Sequence, residues 1–206
     1  MRKRRRAREV TGQRLNVGSY LSDAGLFLID TVLGIYIILV LLRFLLQITR
    51  TDFYNPISQF IVRATNPPLV RLRRFIPGLW GIDLSALLLT FGMEAIRISL
   101  TAILLGHSPR FAGVILLSIG EITKLAIYIV IFSIFVRALL SWFNSGSHHP
   151  MTKLLNSFTD SILRPAHRII PATGGIDLSP LIVFIVTMLV LKLLVQPLLD
   201  LGRMFL

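Results

Sequence analysis

The sequence predicts an all-α integral membrane protein. Four transmembrane helices are expected as two parallel two-helix repeats, each with interfacial amphipathic helices between its spans. Composition, four long apolar runs and an internal repeat predict this class. The 206 residues are 54% hydrophobic and 16% charged, with a mean hydropathy of +0.74. An average soluble domain is about 45–50% apolar and about 25% charged. The chain carries 22 Lys+Arg against 10 Asp+Glu, a formal net charge of +12. In a soluble protein that balance would point to nucleic acid. Here the cations lie in an N-terminal tail and beside apolar runs, where each gains about 1 kcal/mol from anionic headgroups. The expected partners are therefore the lipid bilayer and its anionic headgroups, not nucleic acid. Cysteine is absent, which excludes disulfides, thiolate metal sites, CxxC redox chemistry and cysteine nucleophiles.

A bilayer core of ~30 Å needs roughly 20 mostly apolar helical residues. The basic, polar segment 1–23 is read as a disordered tail. The first span, Leu26–Gln47, carries Asp30 near its start and Arg43 near its end. It is too long for a signal-peptide apolar region, and no A-x-A cleavage site follows it. The second, Leu84–Leu105, carries Glu94 and Arg97. Apolar sequence resumes at Phe111 and runs to Phe143, and its charge-free part starts at Leu125, after Glu121 and Lys124. The fourth span, Leu178–Leu199, is polar only at Lys192 and Gln196 in its second half.

Sliding the chain on itself finds a match at an offset of 94 residues, with fourteen identities across positions 43–85 and no gap. Arg43 pairs with Arg137, Pro56 with Pro150, Thr65 with Thr159, Leu69 with Leu163 and Arg74 with Arg168. Ile76-Pro77 pairs with Ile170-Pro171, and Gly81 to Ser85 with Gly175 to Ser179. Two unrelated apolar helices share leucines by chance; they do not share I-P-x4-I-D-L-S. The units are residues 24–106 and 118–206, joined by a connector over 107–117. Each has an even number of spans, so both copies enter the membrane in the same orientation, unlike inverted transporter repeats. The arginine and lysine count is eight on the side of the connections and nine on the tail side. The positive-inside rule therefore leaves the orientation open.

The connection in each unit is amphipathic. Ile57, Phe60, Ile61 and Ala64 in the first, and Met151, Leu154, Leu155 and Phe158 in the second, form one-sided helical stripes. Pro56 and Pro150 stand at the first helical position, where a missing N–H costs nothing. A second short stripe follows each: Leu69, Leu72, Phe75, Ile76, and Leu163, Ala166, Ile169, Ile170. Arg71, Arg73 and Arg74, and Arg164 and Arg168, sit among these residues. Basic amphipathic helices of this kind lie in the membrane interface; the alternative is simple packing on the mouth of the bundle.

The segment Asp52-Phe53-Tyr54-Asn55-Pro56-Ile57-Ser58-Gln59-Phe60, followed by Thr65-x-Pro67, Arg73-Arg74-x-Ile76-Pro77 and Ile82-Asp83-Leu84-Ser85, resembles the YggT (YlmG) family. The second copy, with Arg164-Pro165-x-x-Arg168-x-Ile170-Pro171 and Gly174-Gly175-Ile176-Asp177-Leu178-Ser179-Pro180, is similar to the family's other half. Ala86 stands where the motif usually has proline. The resemblance covers about residues 24–200 and leaves the basic tail outside. It implies a bacterial inner-membrane or plastid-membrane protein linked to osmotic tolerance and ion homeostasis, cell division or cytochrome maturation. It brings no agreed biochemical activity.

Asp83 and Asp177 each stand one residue before a span, with Ser85 and Ser179 just inside. An aspartate there caps orphan N–H groups and complements the positive helix end. The alternative is an ion pair with Arg43 or Arg137, which lie on the same membrane side; otherwise those arginines snorkel to the headgroups. Ionisable groups within spans are functional suspects. Glu94 and Arg97 share one helix face, as do Glu121 and Lys124. Mirrored about Pro109, Arg97 is expected to meet Glu121, and Glu94 to meet Lys124, if both helices continue to the turn. The alternative places Glu121 and Lys124 at the interface. Lys192 has no counterpart in the first copy and either snorkels or joins the polar patch.

Neither GxxxxGK[ST] nor GxGxxG occurs, nor a GxSxG elbow, nor HExxH. His148 and His149 are adjacent and are read as loop residues. No catalytic residue, cofactor or metal site is expected. The expected function is a non-enzymatic membrane accessory or scaffold protein, with membrane-protein partners or a homo-oligomer. The alternative is a small oligomeric ion channel or transporter.

Overall fold

The computed structural model describes residues 17–76, 78, 81–142, 149–169 and 177–205. Of the residues singled out above, Pro77, Phe143, His148, Ile170, Pro171, Gly174, Gly175, Ile176 and the tail over 1–16 lie outside these. Among the described residues seven α-helices follow one another: α1 (Val17–Ile48), α2 (Pro56–Leu72), α3 (Leu84–Leu104), α4 (Phe111–Trp142), α5 (Pro150–Ile169), α6 (Ser179–Val190) and α7 (Gln196–Arg203). A π-helical turn, Leu191–Val195, joins α6 to α7. Among the described residues four stretches are long and apolar enough to cross a membrane: Tyr20–Ile48, Leu84–Leu104, Phe111–Leu140 and Ser179–Arg203.

The offset of 94 carries through to the helix boundaries. Shifted by it, Val17 and Ile48 fall on Phe111 and Trp142, the bounds of α4. Pro56 falls on Pro150, the start of α5. The first half of α1, where no sequence match was visible, is thus part of the repeat. Residues 17–23, read as tail, form its opening turns.

Local chemistry sets the helix ends. The Asn55 Oδ1 accepts from the Ile57 N–H at 2.9 Å and Pro56 opens α2. At the same place in the second copy, the Nδ1 of His149 accepts from the Met151 N–H at 3.3 Å. His149 is therefore an N-cap rather than a bare loop residue. At the end of α3, Gly106 takes a φ of +78°. This lets its N–H reach the Ile103 carbonyl and the His107 N–H reach that of Ala102, a closure that favours glycine. The π turn has a cause in Pro197, which lacks the N–H that would bond to the Leu193 carbonyl; the Gln196 N–H reaches back to Leu191 instead.

Each connection holds one long helix, not two short ones. α2 continues through Pro67 and Pro68, and α5 through Pro165, so Leu69 and Leu72, and Leu163 and Ala166, lie on the same rod as the first stripe of their copy, while Phe75 and Ile76 follow the end of α2. Ser58, Ile61, Thr65 and Leu69 form the buried face of α2. Phe60, Phe75 and Met151 are exposed. The two amphipathic helices meet beside α1, where Leu46, Ile61, Leu154 and Phe158 form a buried cluster. Two hydrogen bonds tie the copies there: Asn55 Nδ2 donates to the Pro150 carbonyl at 2.7 Å, and Ser161 Oγ to that of Thr49 at 2.8 Å.

Among the spans, α1 packs on α3, and α4 packs on α3 and on the last span. The contact of α4 with α7 depends on glycine. A Cβ at Gly120 would lie 2.5 Å from Leu199 Cδ2, and one at Gly202 would lie 2.8 Å from Leu117 Cγ. Small residues that let helices approach closely are the usual device where hydrophobic burial supplies no drive between spans.

Candidate functional site

Two groups of polar residues stand out: a repeated set where the amphipathic helices dock, and a charged cluster within the spans.

In the repeated set, the Arg43 guanidinium leaves α1 and reaches α2. Its Nη1 donates to Thr65 Oγ1 at 2.9 Å, Asn66 Oδ1 at 2.8 Å and the Val62 carbonyl at 3.3 Å. The Thr65 hydroxyl in turn donates to the Ile61 carbonyl at 2.7 Å. The second copy repeats this. Arg137 Nη1 donates to Thr159 Oγ1 at 2.7 Å and to Asp160 Oδ1 at 2.5 Å, and Thr159 donates to the Leu155 carbonyl at 2.6 Å. Both threonines are fully buried, and Arg43 is only 6% exposed. Thus Arg43 does not snorkel, and neither arginine pairs with the aspartate ahead of the next span. Each clamps its own amphipathic helix to the end of the preceding span.

The aspartates have other partners. Asp83 Oδ1 accepts from the Ala86 N–H at 3.3 Å, and its other oxygen pairs with Arg73. Asp177 Oδ1 accepts from the Ser179 N–H at 2.9 Å and lies 3.4 Å from His167 Nδ1. Position 167 is the repeat counterpart of 73. Asp83 is the N-cap of α3, Asp177 stands one position ahead of the N-cap Leu178 and accepts from the first helical N–H, and each aspartate faces a residue ten positions earlier, arginine in one copy and histidine in the other. The serines close the same joint: Ser85 Oγ donates to the Ile76 carbonyl at 2.8 Å, and Ser179 Oγ lies 2.6 Å from His167 Nδ1. Burial pushes the Asp177 carboxyl up. Hydrogen bonds from Ser179, with His167 and Arg137 nearby, pull it further down and leave it below its ordinary value. Pro180 lies in the first turn of α6, while Arg74 and Arg168 are exposed.

Within the spans, the mirrored pairing of Arg97 with Glu121 and of Glu94 with Lys124 does not form. Arg97 binds Glu94 on its own helix through two hydrogen bonds, of 2.5 and 3.1 Å. It also reaches Asp30 of α1 at 3.0 Å. Lys124 pairs with Glu121 at 2.5 Å, again within one helix. A partner one turn away needs no agreement between two helix rotations, so the i,i+3 pair forms first. The four residues still face one space: Glu94, Arg97, Glu121 and Lys124, with Tyr128, line a cavity of about 170 Å³. Arg97 and Glu121 also line a neighbouring cavity of about 390 Å³. Glu94 is nearly fully buried. Lys192 lies in the π turn, exposed and apart from this cluster.

Reading the sequence missed Asp30 as a partner, and it missed Asn66, Asp160 and the 73/167 position. The offset itself held the signal for the last three, because it aligns polar residues that differ in identity. Among the described residues no group of three or more His, Asp or Glu is placed to hold a metal ion.

No solved structure matches the chain. A protein of Vibrio alginolyticus encoded beside proC, described as uncharacterised, is 40% identical over 161 residues, covering 77% of this chain and 86% of the relative. An uncharacterised protein of Pseudomonas aeruginosa is 38% identical over 178 residues, covering 85% and 90%. The YggT protein of Escherichia coli K12, also described as uncharacterised, is 38% identical over 157 residues, covering 76% and 81%. The model of the CCB3/YggT family matches twice in tandem, at residues 22–104 and 116–198, one match for each copy of the clamp. Two matches that together span most of the sequence, and relatives aligned over most of their own length, place this chain in the CCB3/YggT family.

Proposed function

We propose that this protein is a non-enzymatic accessory or scaffold of the bacterial inner membrane, which presents two amphipathic helices at the bilayer interface to anionic headgroups and partner membrane proteins. The repeated arginine–threonine clamp carries this reading. Such a clamp fixes a helix at the end of a span, and a fixed helix offers a constant surface. The exposed Phe60 and Phe75, beside Arg63, Arg71 and Arg74, suit the boundary between headgroups and acyl chains. Support of osmotic tolerance, ion homeostasis or membrane-complex assembly, as the family resemblance implies, belongs to this reading.

The chain has no cysteine, so single-cysteine labels are clean. A spin label at Phe60→Cys or Phe75→Cys is expected to report headgroup depth in vesicles. A label fully in water, out of reach of lipid-borne quenchers, overturns the platform.

The charged cavity between the spans favours a second reading, ion transport. The platform reading expects vesicles containing the purified protein to leak potassium, protons and chloride no faster than empty ones. Flux above that level, lost in Glu94→Gln, would establish transport instead.

A further inference from the structure

The two clamps differ in charge balance. Arg137 is neutralised by Asp160, whereas Arg43 has the neutral Asn66 at the equivalent position. Among the described residues no carboxylate forms an ion pair with Arg43, so its buried charge is held by neutral acceptors alone, with Asp83 acting only from a distance. Buried charge without an ion-pair partner is costly, and an arriving anion relieves that cost. Arg43 also lines a cavity of about 480 Å³ between α1 and α2, together with Arg63, Arg73, Gln47 and Gln59. Among the described residues no carboxylate lines this cavity, and of those carboxylates Asp83 alone pairs with one of its arginines, Arg73. Guanidinium groups present donors in a fork that matches phosphate oxygens; the Gln47 and Gln59 amides already donate to the Gly81 and Tyr54 carbonyls, which leaves one N–H of each for a ligand. The second copy lacks this set, since the counterparts of Arg63 and Arg73 are Ser157 and His167.

We propose that the first repeat alone carries a phosphate-binding site, in which Arg43, Arg63 and Arg73 hold one phosphate group at the mouth of the cavity between α1 and α2. It rests on the placement of α2 in the headgroup layer for its access to lipid, and a free phosphate would use the same donors. The asymmetry gives the two halves different work: the second clamp is closed by its own aspartate, and the first is completed by a ligand.

The test uses the full chain purified in a neutral detergent. Thermal unfolding is followed as phosphatidylglycerol, phosphatidylcholine or sodium phosphate is added, with sodium chloride as the ionic-strength control. Phosphatidylglycerol is expected to raise the melting temperature saturably, and phosphatidylcholine to do so far less. A parallel rise with sodium phosphate identifies a free anion as ligand; a rise with the lipid alone identifies a headgroup. Asn66→Asp writes the second copy's carboxylate into the first and neutralises Arg43. It should melt no lower than the parent without ligand, yet need at least about tenfold more lipid or phosphate for the same shift. Arg63→Gln, at an exposed position, should weaken binding likewise, and it carries the test if Asn66→Asp folds poorly. Lys153→Gln, at the second copy's counterpart of Gln59, should change nothing. Wild-type binding by Arg63→Gln, an equal response to phosphatidylcholine, or no response to lipid or phosphate overturns the site. A label at headgroup depth alongside any of those results leaves the platform standing and removes only the pocket.

Discussion

At the scale of single residues, the two clamps contain the same arginine and threonine but differ in what remains when the threonine is lost. Thr65→Val keeps the shape and deletes the oxygen that accepts from Arg43. The guanidinium is then left with Asn66 and a long contact to the Val62 carbonyl. Losing a hydrogen bond to a buried charged group costs about 1.5–3 kcal/mol. Thr159→Val should cost less, because Arg137 retains Asp160. Melting temperatures of the two variants in detergent check the order; equal losses would mean that the carboxylate contributes nothing. The capping aspartates give a second test. Asp177→Asn keeps an N-cap acceptor and should stay within about 1 kcal/mol of the parent, while Asp177→Leu loses the cap and costs more. Because its pKa is lowered on folding, the unfolded chain binds the extra proton. The contribution of Asp177 is therefore complete above the ordinary aspartate pKa of about 3.9 and fades as pH falls below it. It is small, since the group is 43% exposed. Asp177→Asn should flatten that part of the acid melting profile.

Among the helices, glycine has opposite meanings in different places. Gly120 and Gly202 are seats for Leu199 and Leu117, so a side chain there must push α7 away from α4. Gly120→Val is expected to cost about 1–3 kcal/mol through overpacking. A Cβ at Gly92 would meet nothing within 4 Å. There Gly92→Ala should raise stability by up to about 1 kcal/mol through helix propensity alone. Melting of the two variants side by side separates packing from propensity. The charged cluster gives an element-scale test of its own. Its pairs lie within helices, so exchanging charges across α3 and α4, as in Arg97→Glu with Glu121→Arg, should not rescue either single change. Arg97→Leu should be the worst single variant, at about 3–5 kcal/mol, because it leaves the buried Glu94 without a counter-charge. Recovery by the cross-helix double variant, read as expression and melting, would mean that the helices can rotate to the mirrored pairing.

For the whole molecule, the spans bury little of their own surface, and large apolar side chains such as Phe27, Ile35, Phe132 and Phe135 are exposed along them. Lipid or neighbouring proteins must cover those faces. The geometry that the two copies share is concentrated at one end, where both clamps, both capping joints and the contact between α2 and α5 lie. Hydrogen bonds tie the helices together at that end and leave the flanks of the spans open, so the flux measurement is the one that separates the proposed platform from the transport reading for the molecule as a whole.

The linear chain carried the four spans, the tandem repeat and the amphipathic connections, because apolar length and periodicity are local properties written residue by residue. Asp83 and Asp177 as caps were legible for the same reason: a cap acts on N–H groups within three positions of itself. The partners of Arg43 were not legible, nor was it legible that Arg97 and Glu121 keep the neighbours on their own helix face instead of meeting across the helices. A long guanidinium reaches several helices, and which acceptor it meets depends on how those helices are rotated and stacked. The geometry chose Thr65 and Asn66 over Asp83, and neighbours one turn away over the mirrored helix. It also drew Asp30 from the first span to the second. Above all, only tertiary packing decided that equivalent arginines in two matching repeats stand in different electrostatic states, since it brings the residue at 66 or 160, asparagine in one copy and aspartate in the other, against the guanidinium.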